Sequence, residues 1–191
     1  MPCVDIERIG REKTALFITS SAMNPTLYTF VNILYGQIFK TLFETAQRMP
    51  DYQLPVHVSM LYDDFAVGGV AVKNFPEYTS VVREANMDFI ILLQSESQLS
   101  ACYDTYGAKT ILNNLDTYCF LGCNDYDTAK VVSLKANIPV DEVLWQPVGK
   151  VLIFRRGNKP IITERYPTYE DEQYLAMKSK RFRFRKEVRY A

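Results

Sequence analysis

Two adjacent carboxylates, Asp63 and Asp64, close the apolar run Val56-His57-Val58-Ser59-Met60-Leu61-Tyr62, at a point where a buried strand should meet a loop. A carboxylate at such a strand end can hold a hydrated Mg²⁺ that bridges two phosphates, and a second beside it can polarise an attacking water. That is the chemistry of nucleotide hydrolysis. The pattern by itself is also that of any α/β strand that ends in Asp-Asp before a turn. Gln94 closes a second apolar run, Phe89-Ile90-Ile91-Leu92-Leu93. An uncharged amide there senses a γ-phosphate or orients a water; its structural alternative is to cap the following helix, for which Ser95 is itself a good candidate. No G-x-x-x-x-G-K-[ST] phosphate loop occurs in the chain.

These groups need elements to position them, and the hydrophobic pattern supplies them. Thr14 to Thr19 is expected to be a short strand, followed by turn and helix-start signals in Ser20-Ser21-Ala22-Met23-Asn24-Pro25. Phe30, Ile33, Leu34, Gln37, Ile38, Thr41 and Leu42 recur at helical spacing up to Arg48-Met49-Pro50. Leu54 to Tyr62 is the second strand, then a Gly68-Gly69 loop, a helix from Phe75 to Asn86, and the strand Phe89 to Leu93. The last is a continuous apolar run of the kind buried on both faces in a parallel sheet. Short helices follow at Ser97 to Cys102 and Tyr106 to Leu115, a strand at Thr117 to Leu121 and a helix at Asp127 to Ala136. The alternation predicts right-handed crossovers and a covered parallel sheet. Val148 to Ile162 then reads as two strands around Gly157-Asn158, a hairpin that closes the sheet. Ligand sites in such sheets lie beyond the carboxyl ends of the strands, where Asp63, Asp64 and Gln94 all fall.

The composition sets outer limits. At 191 residues, 48% of them hydrophobic, the chain can bury a core. Lys plus Arg and Asp plus Glu both number 22, so no global field argues for nucleic acid or a membrane surface. No apolar run has the length of a membrane span, and no signal-peptide pattern opens the chain, so a soluble, cytoplasmic protein is expected. The cysteines, Cys3, Cys102, Cys119 and Cys123, lack zinc spacing and read as buried free thiols. His57, the single histidine, reads as a core or strand-edge residue with no assigned role.

In motif order the chain resembles the type IV secretion coupling proteins, the TraG/TraD-like hexameric ATPases that feed conjugating DNA into a secretion channel. The pieces that carry the resemblance run from about residue 13 to 166. They are Lys13-Thr14-Ala15-Leu16-Phe17-Ile18, Tyr35-Gly36-Gln37-Ile38-Phe39, Leu54-Pro55-Val56-His57-Val58 leading to Asp63-Asp64-Phe65-Ala66, and Leu93-Gln94-Ser95-Glu96-Ser97-Gln98-Leu99. Ile111-Leu112-Asn113-Asn114-Leu115-Asp116-Thr117 with Phe120-Leu121-Gly122, and the hairpin ending Phe154-Arg155-Arg156-Gly157-Asn158-Lys159-Pro160, complete the set.

The resemblance implies a RecA-like α/β fold, a mostly parallel sheet with helices on both faces and a C-terminal β-hairpin. It implies ATP and Mg²⁺ as cofactors of the intact protein. Asp63 matches the Mg²⁺-side carboxylate of the Walker B strand and Asp64 the catalytic glutamate, with a side chain one methylene shorter. Arg83 matches the arginine that acts in trans on a neighbouring subunit's nucleotide, and Gln94 the sensor glutamine. Ala85 and Asn86 stand where the family has a second arginine and a glycine. Implied partners are a relaxosome protein, secretion-channel components, single- or double-stranded DNA, and further copies in a homo-hexamer. The membrane helices, phosphate loop and inserted helical domain of the family precede the matched part. Residues 1–166 are thus expected to be the C-terminal half of the nucleotide-binding domain, at the cytoplasmic face of the membrane only through helices this chain lacks, and inactive as an ATPase alone.

Residues 167–191 are expected to be a basic helix or tail. From Lys178 to Arg189 seven basic residues face one acid, Glu187. Lys180, Arg181, Arg183, Arg185 and Lys186 interleave with Phe182 and Phe184, which in extended form separates cations from rings and suits nucleic acid. The alternative readings are therefore a non-catalytic protein- or DNA-binding module derived from this family, or another DNA-translocating P-loop ATPase.

Overall fold

Residues 4–19, 26–67 and 71–184 are described in a computed structural model. Helix α1 (Ile6–Ile9) is short, and the Asp5 carboxylate at its start accepts the Arg8 N–H. Helix α2 (Thr26–Gln47) buries Ile38, Phe39, Leu42 and Ala46, the three- and four-residue spacing of one helix face. Its first half leaves Leu27, Phe30, Ile33 and Leu34 exposed.

Strand β1 (Val58–Tyr62) alternates, with Val58, Met60 and Tyr62 buried and Ser59 and Leu61 exposed. It pairs in parallel with β2 (Met87–Ile91), in register from Val58 opposite Met87 to Tyr62 opposite Ile91. A crossover joins them: α3 (Phe75–Val81), then a 3₁₀ turn, Val82–Ala85, that ends at Asn86 in the left-handed region (φ 60°). Phe75 is the centre of the packing between these elements. Its ring centroid lies 4.6 Å from Phe65, 4.9 Å from Phe89 and 5.7 Å from Tyr62. Helix α4 (Glu96–Asn114) is broken at Asp104 (φ 57°, ψ 174°), whose carboxylate accepts the N–H groups of Tyr106 and Gly107. The two short helices expected there thus meet at a cap.

Strand β3 (Thr117–Phe120), helices α5 (Tyr126–Ala136) and α6 (Val140–Leu144), and the hairpin β4 (Lys150–Arg155) and β5 (Ile161–Glu164) form a second group. Its sheet is antiparallel, in the order β3-β4-β5, over a core of Phe120, Ala129, Val132, Val143 and Leu152. Helix α7 (Glu172–Phe184) ends the described chain.

Several expectations need correction. Thr14 to Thr19 is not a strand, because it makes no ladder bonds to a neighbour; it forms one wall of an apolar groove of about 640 Å³ whose other wall is β1. The run Phe89 to Leu93 is not buried on both faces: Ile90 (47% exposed) and Leu92 (45%) join Leu61 (63%) on a face that no described element covers. The free thiols are not buried either. Cys119 is exposed, since it alternates with Tyr118 and Phe120 on β3, and Cys102 and Cys123 are half-buried. Residues 180–184 are helical rather than extended, so alternating residues no longer share a side. Cys3, Ser20 to Pro25, Gly68-Gly69, Arg185 and Lys186 lie outside the described residues.

Candidate functional site

The Asp63-Asp64 turn is laced to the chain leaving β2. The Leu92 N–H donates to Tyr62 O and the Phe65 N–H to Leu92 O, each at 2.9 Å. Phe65 and Ala66 are then buried, which anchors the turn from its far side. Asp64 takes a left-handed conformation (φ 51°), which aspartate tolerates better than most side chains. One oxygen of Asp63 accepts the Asp64 N–H at 3.1 Å, and Val67 N–H closes the turn on Asp64 O at 3.2 Å. Both carboxylates are exposed.

Gln94 follows two residues after Leu92, at the same carboxyl edge, and is also exposed. Ser95 is the cap of α4: its hydroxyl accepts the Gln98 N–H at 3.1 Å. The Gln94 amide makes no hydrogen bond among the described residues, so capping does not account for it. Asp63, Asp64 and Gln94 therefore share one edge of the parallel pair, as their places at the ends of two apolar runs suggested.

Arg83 does not join them. It sits in the 3₁₀ turn before the amino end of β2, exposed to solvent. A strand advances about 3.3 Å per residue, so the five residues of β2 separate it from that edge by roughly 13 Å or more. Lys180, Arg181 and Arg183 belong to α7, with their side chains outside the described part.

A narrow groove of about 150 Å³ adjoins Gln94 and was not foreseen from the sequence. Ile91, Leu93 and Glu96 line one side of it, and Tyr118, Phe120 and Leu121 the other. Its floor is polar. Glu96 lies 3.6 Å from Lys135, whose ammonium stands 4.5 Å from the centroid of the Tyr118 ring. Burial, reinforced by the Glu96 charge, pushes the Tyr118 phenol well above its ordinary range. Asp125 caps α5 by accepting the Thr128 N–H at 3.0 Å and takes the Ser97 hydroxyl at 2.7 Å. Hydrogen bonds from the Thr128 and Ser97 side chains, in that order, hold its carboxyl below the usual range. Only the Asp-x-x-Thr spacing of the cap was legible in sequence; the rest needs the fold.

Whether these residues suit Mg²⁺ and a nucleotide is a question of donors. Among the described residues no three His, Cys, Asp or Glu side chains are grouped to hold a metal ion. One oxygen of Asp63 is engaged within its own turn. The edge offers a carboxylate to a cation that phosphates already hold, but this chain has no phosphate loop to hold them. The chain alone does not fit the group, and no catalytic step is derived through it.

Residues 57–136 match the family model described as the TraM recognition site of TraD and TraG. No curated protein sequence matches the chain. Among solved structures, the plasmid coupling protein TrwB in complex with the non-hydrolysable GTP analogue GDPNP has 16% identity and a TM-score of 0.63, over 74% of this chain and 37% of its own. The unbound monoclinic form of the bacterial conjugative coupling protein TrwBdeltaN70 has 15% identity and a TM-score of 0.62, with the same coverage. TrwB in complex with ADP and Mg²⁺ has 15% identity and a TM-score of 0.59, over 74% of this chain and 38% of its own. The chain thus spans little more than a third of the proteins it resembles. The chain is thus similar to the TraM recognition site of TraD and TraG over residues 57–136, and over most of its length it has the RecA-like α/β fold of the coupling protein TrwB.

Proposed function

We propose that this chain is the C-terminal half of a conjugative DNA-transfer ATPase, linking a relaxosome and its DNA to a type IV secretion channel. Residues 1–166 belong to its nucleotide-binding domain and 167–191 form a basic extension. The observation that carries the reading is the interval between β2 and β3. The two strands are not bonded to each other, yet both line the groove beside Gln94. A parallel pair is normally part of a larger covered sheet. A strand entering this interval from a preceding half would deliver a phosphate loop to the edge that bears Asp63, Asp64 and Gln94. In the assembled protein Asp63 would face the Mg²⁺ of ATP, Asp64 the attacking water, and Gln94 the γ-phosphate. Arg83, at the opposite end of β2, would serve a neighbouring subunit of a hexamer.

Phosphate release tests the dependence on a second half. The isolated chain is expected to show no Mg²⁺-dependent hydrolysis of ATP; hydrolysis abolished by Asp63→Ala would overturn this. Calorimetric titration with a TraM-type relaxosome protein tests the partner, and binding is expected to localise to residues 57–136. No described helix is long and apolar enough to cross a membrane. Attachment to the cytoplasmic face belongs to the proposed intact protein.

A second reading, a non-catalytic DNA-binding module, is favoured by the exposure of α7 from Glu172 to Ser179, apart from a half-buried Tyr174. Lys180, Arg181 and Arg183 fall within the last part of this helix, and Arg185 and Lys186 follow them in the sequence. Oligonucleotide binding that weakens steeply with salt supports it, and binding indifferent to a tenfold salt change excludes it.

A further inference from the structure

His57 is the single histidine of the chain and stands just before β1, with half of its side chain exposed. Both ring nitrogens face acceptors. Nδ1 lies 3.0 Å from Asn86 Oδ1, and Nε2 lies 2.9 Å from Asp88 Oδ2. A neutral imidazole has one N–H and one lone pair, so it satisfies only one of the two; an imidazolium donates to both. The orientation of the Asn86 amide is fixed independently, because its Nδ2 donates to Leu54 O at 2.9 Å and turns Oδ1 toward the ring.

The partners are structurally placed. Asn86 is the left-handed residue that ends the 3₁₀ turn, and its carbonyl accepts the Val58 N–H at 3.2 Å. Asp88 is the second residue of β2, and its other oxygen is buried without a partner. The ring therefore joins the start of β1 to the residue just before β2 and to the second residue of β2. We propose that His57 is a proton-operated clamp: as the imidazolium it locks the amino ends of β1 and β2 together, and loss of one proton releases one of its two ties.

The groups around the ring agree with this. Asp88 of β2 faces it directly, and Lys13 lines the groove beside it from the opposite wall. Arg83 and Glu84, on the turn before Asn86, are exposed and form no ion pair with it. The hydrogen bonds of Asn86 and then Asp88 raise the ring above its ordinary 6.5, opposed in part by burial and aided by a weaker effect of the Asp88 charge. A raised folded-state value means that the stabilisation is fully present below about 6.5 and is lost as pH rises through the folded-state midpoint.

Long-range ¹H–¹⁵N spectroscopy of the full chain reads the ring directly, since only one histidine contributes. At pH 6.5 both nitrogens should be predominantly protonated, with a midpoint above 6.5. Asp88→Asn should lower the midpoint. Asn86→Gly, which keeps the left-handed backbone accessible, should lower it too. Exchange of the Val58 amide, corrected for its intrinsic pH dependence, should accelerate through the midpoint in the native chain and not in His57→Gln. A single neutral tautomer at pH 6.5, a midpoint at or below the ordinary value, or a midpoint unmoved by Asp88→Asn would overturn the clamp. The first two observations need no variant and so survive any failure of a variant to fold.

Discussion

Asp63 and Asp64 are neighbours with different structural demands. Asp64 occupies a left-handed backbone, so Asp64→Ala should cost about 1 kcal/mol in urea denaturation. Asp63 is exposed and makes one local hydrogen bond, so Asp63→Ala should stay within about 0.5 kcal/mol. That difference makes Asp63 the cleaner position for an activity test. Asp125→Ala, which removes the α5 cap and the partner of the Ser97 and Thr128 hydroxyls, should destabilise by about 1–2 kcal/mol near neutral pH. Because the folded-state value of Asp125 is depressed, its contribution is present above the ordinary 3.8 and vanishes as pH falls through the folded-state value. Thermal midpoints of the native chain and the variant should therefore converge in acid. The carboxylate pair and Gln94 were visible in sequence because each ends an apolar run. The His57 ties to Asn86 and Asp88 were not, since they span 29 and 31 residues.

Among the elements, the α2–β1–α3–β2 unit depends on one aromatic cluster. Phe75, 1% exposed, touches Tyr62, Phe65, Phe89 and Tyr103, so Phe75→Ala should cost about 3–5 kcal/mol in chemical denaturation. Helix α7 makes the opposite prediction. Truncation after Asp171 should leave the thermal midpoint unchanged within error and remove any salt-sensitive oligonucleotide binding. The longer helices were legible as 3.6-residue periodicity, and the hairpin as two apolar runs about Gly157-Asn158, whereas α1 and α6, of four and five residues, are too short to show a period. Thr14 to Thr19 misled for a physical reason. An apolar, β-branched run has strand character, but a strand exists only where a neighbour supplies ladder bonds, and here β1 stands across an open groove.

For the whole molecule the telling property is what stays uncovered. Leu61, Ile90 and Leu92 form an exposed apolar face on the parallel pair, and the edges of β2 and β3 face an interval rather than each other. Such a face favours association. The isolated chain should show concentration-dependent light scattering that Leu61→Lys with Ile90→Lys reduces, with the circular dichroism of the fold retained. The sequence by itself determined most element types, Thr14 to Thr19 and the short helices α1 and α6 excepted, together with the α/β class and the approach of Asp63, Asp64 and Gln94 to one edge, because local periodicity and the parallel crossover leave few alternatives. Only the tertiary structure decided that the strands part into two sheets, that Arg83 lies at the far end of β2, and that His57 meets two acceptors. Those outcomes depend on pairings between distant residues, and no local pattern encodes which edge finds a partner.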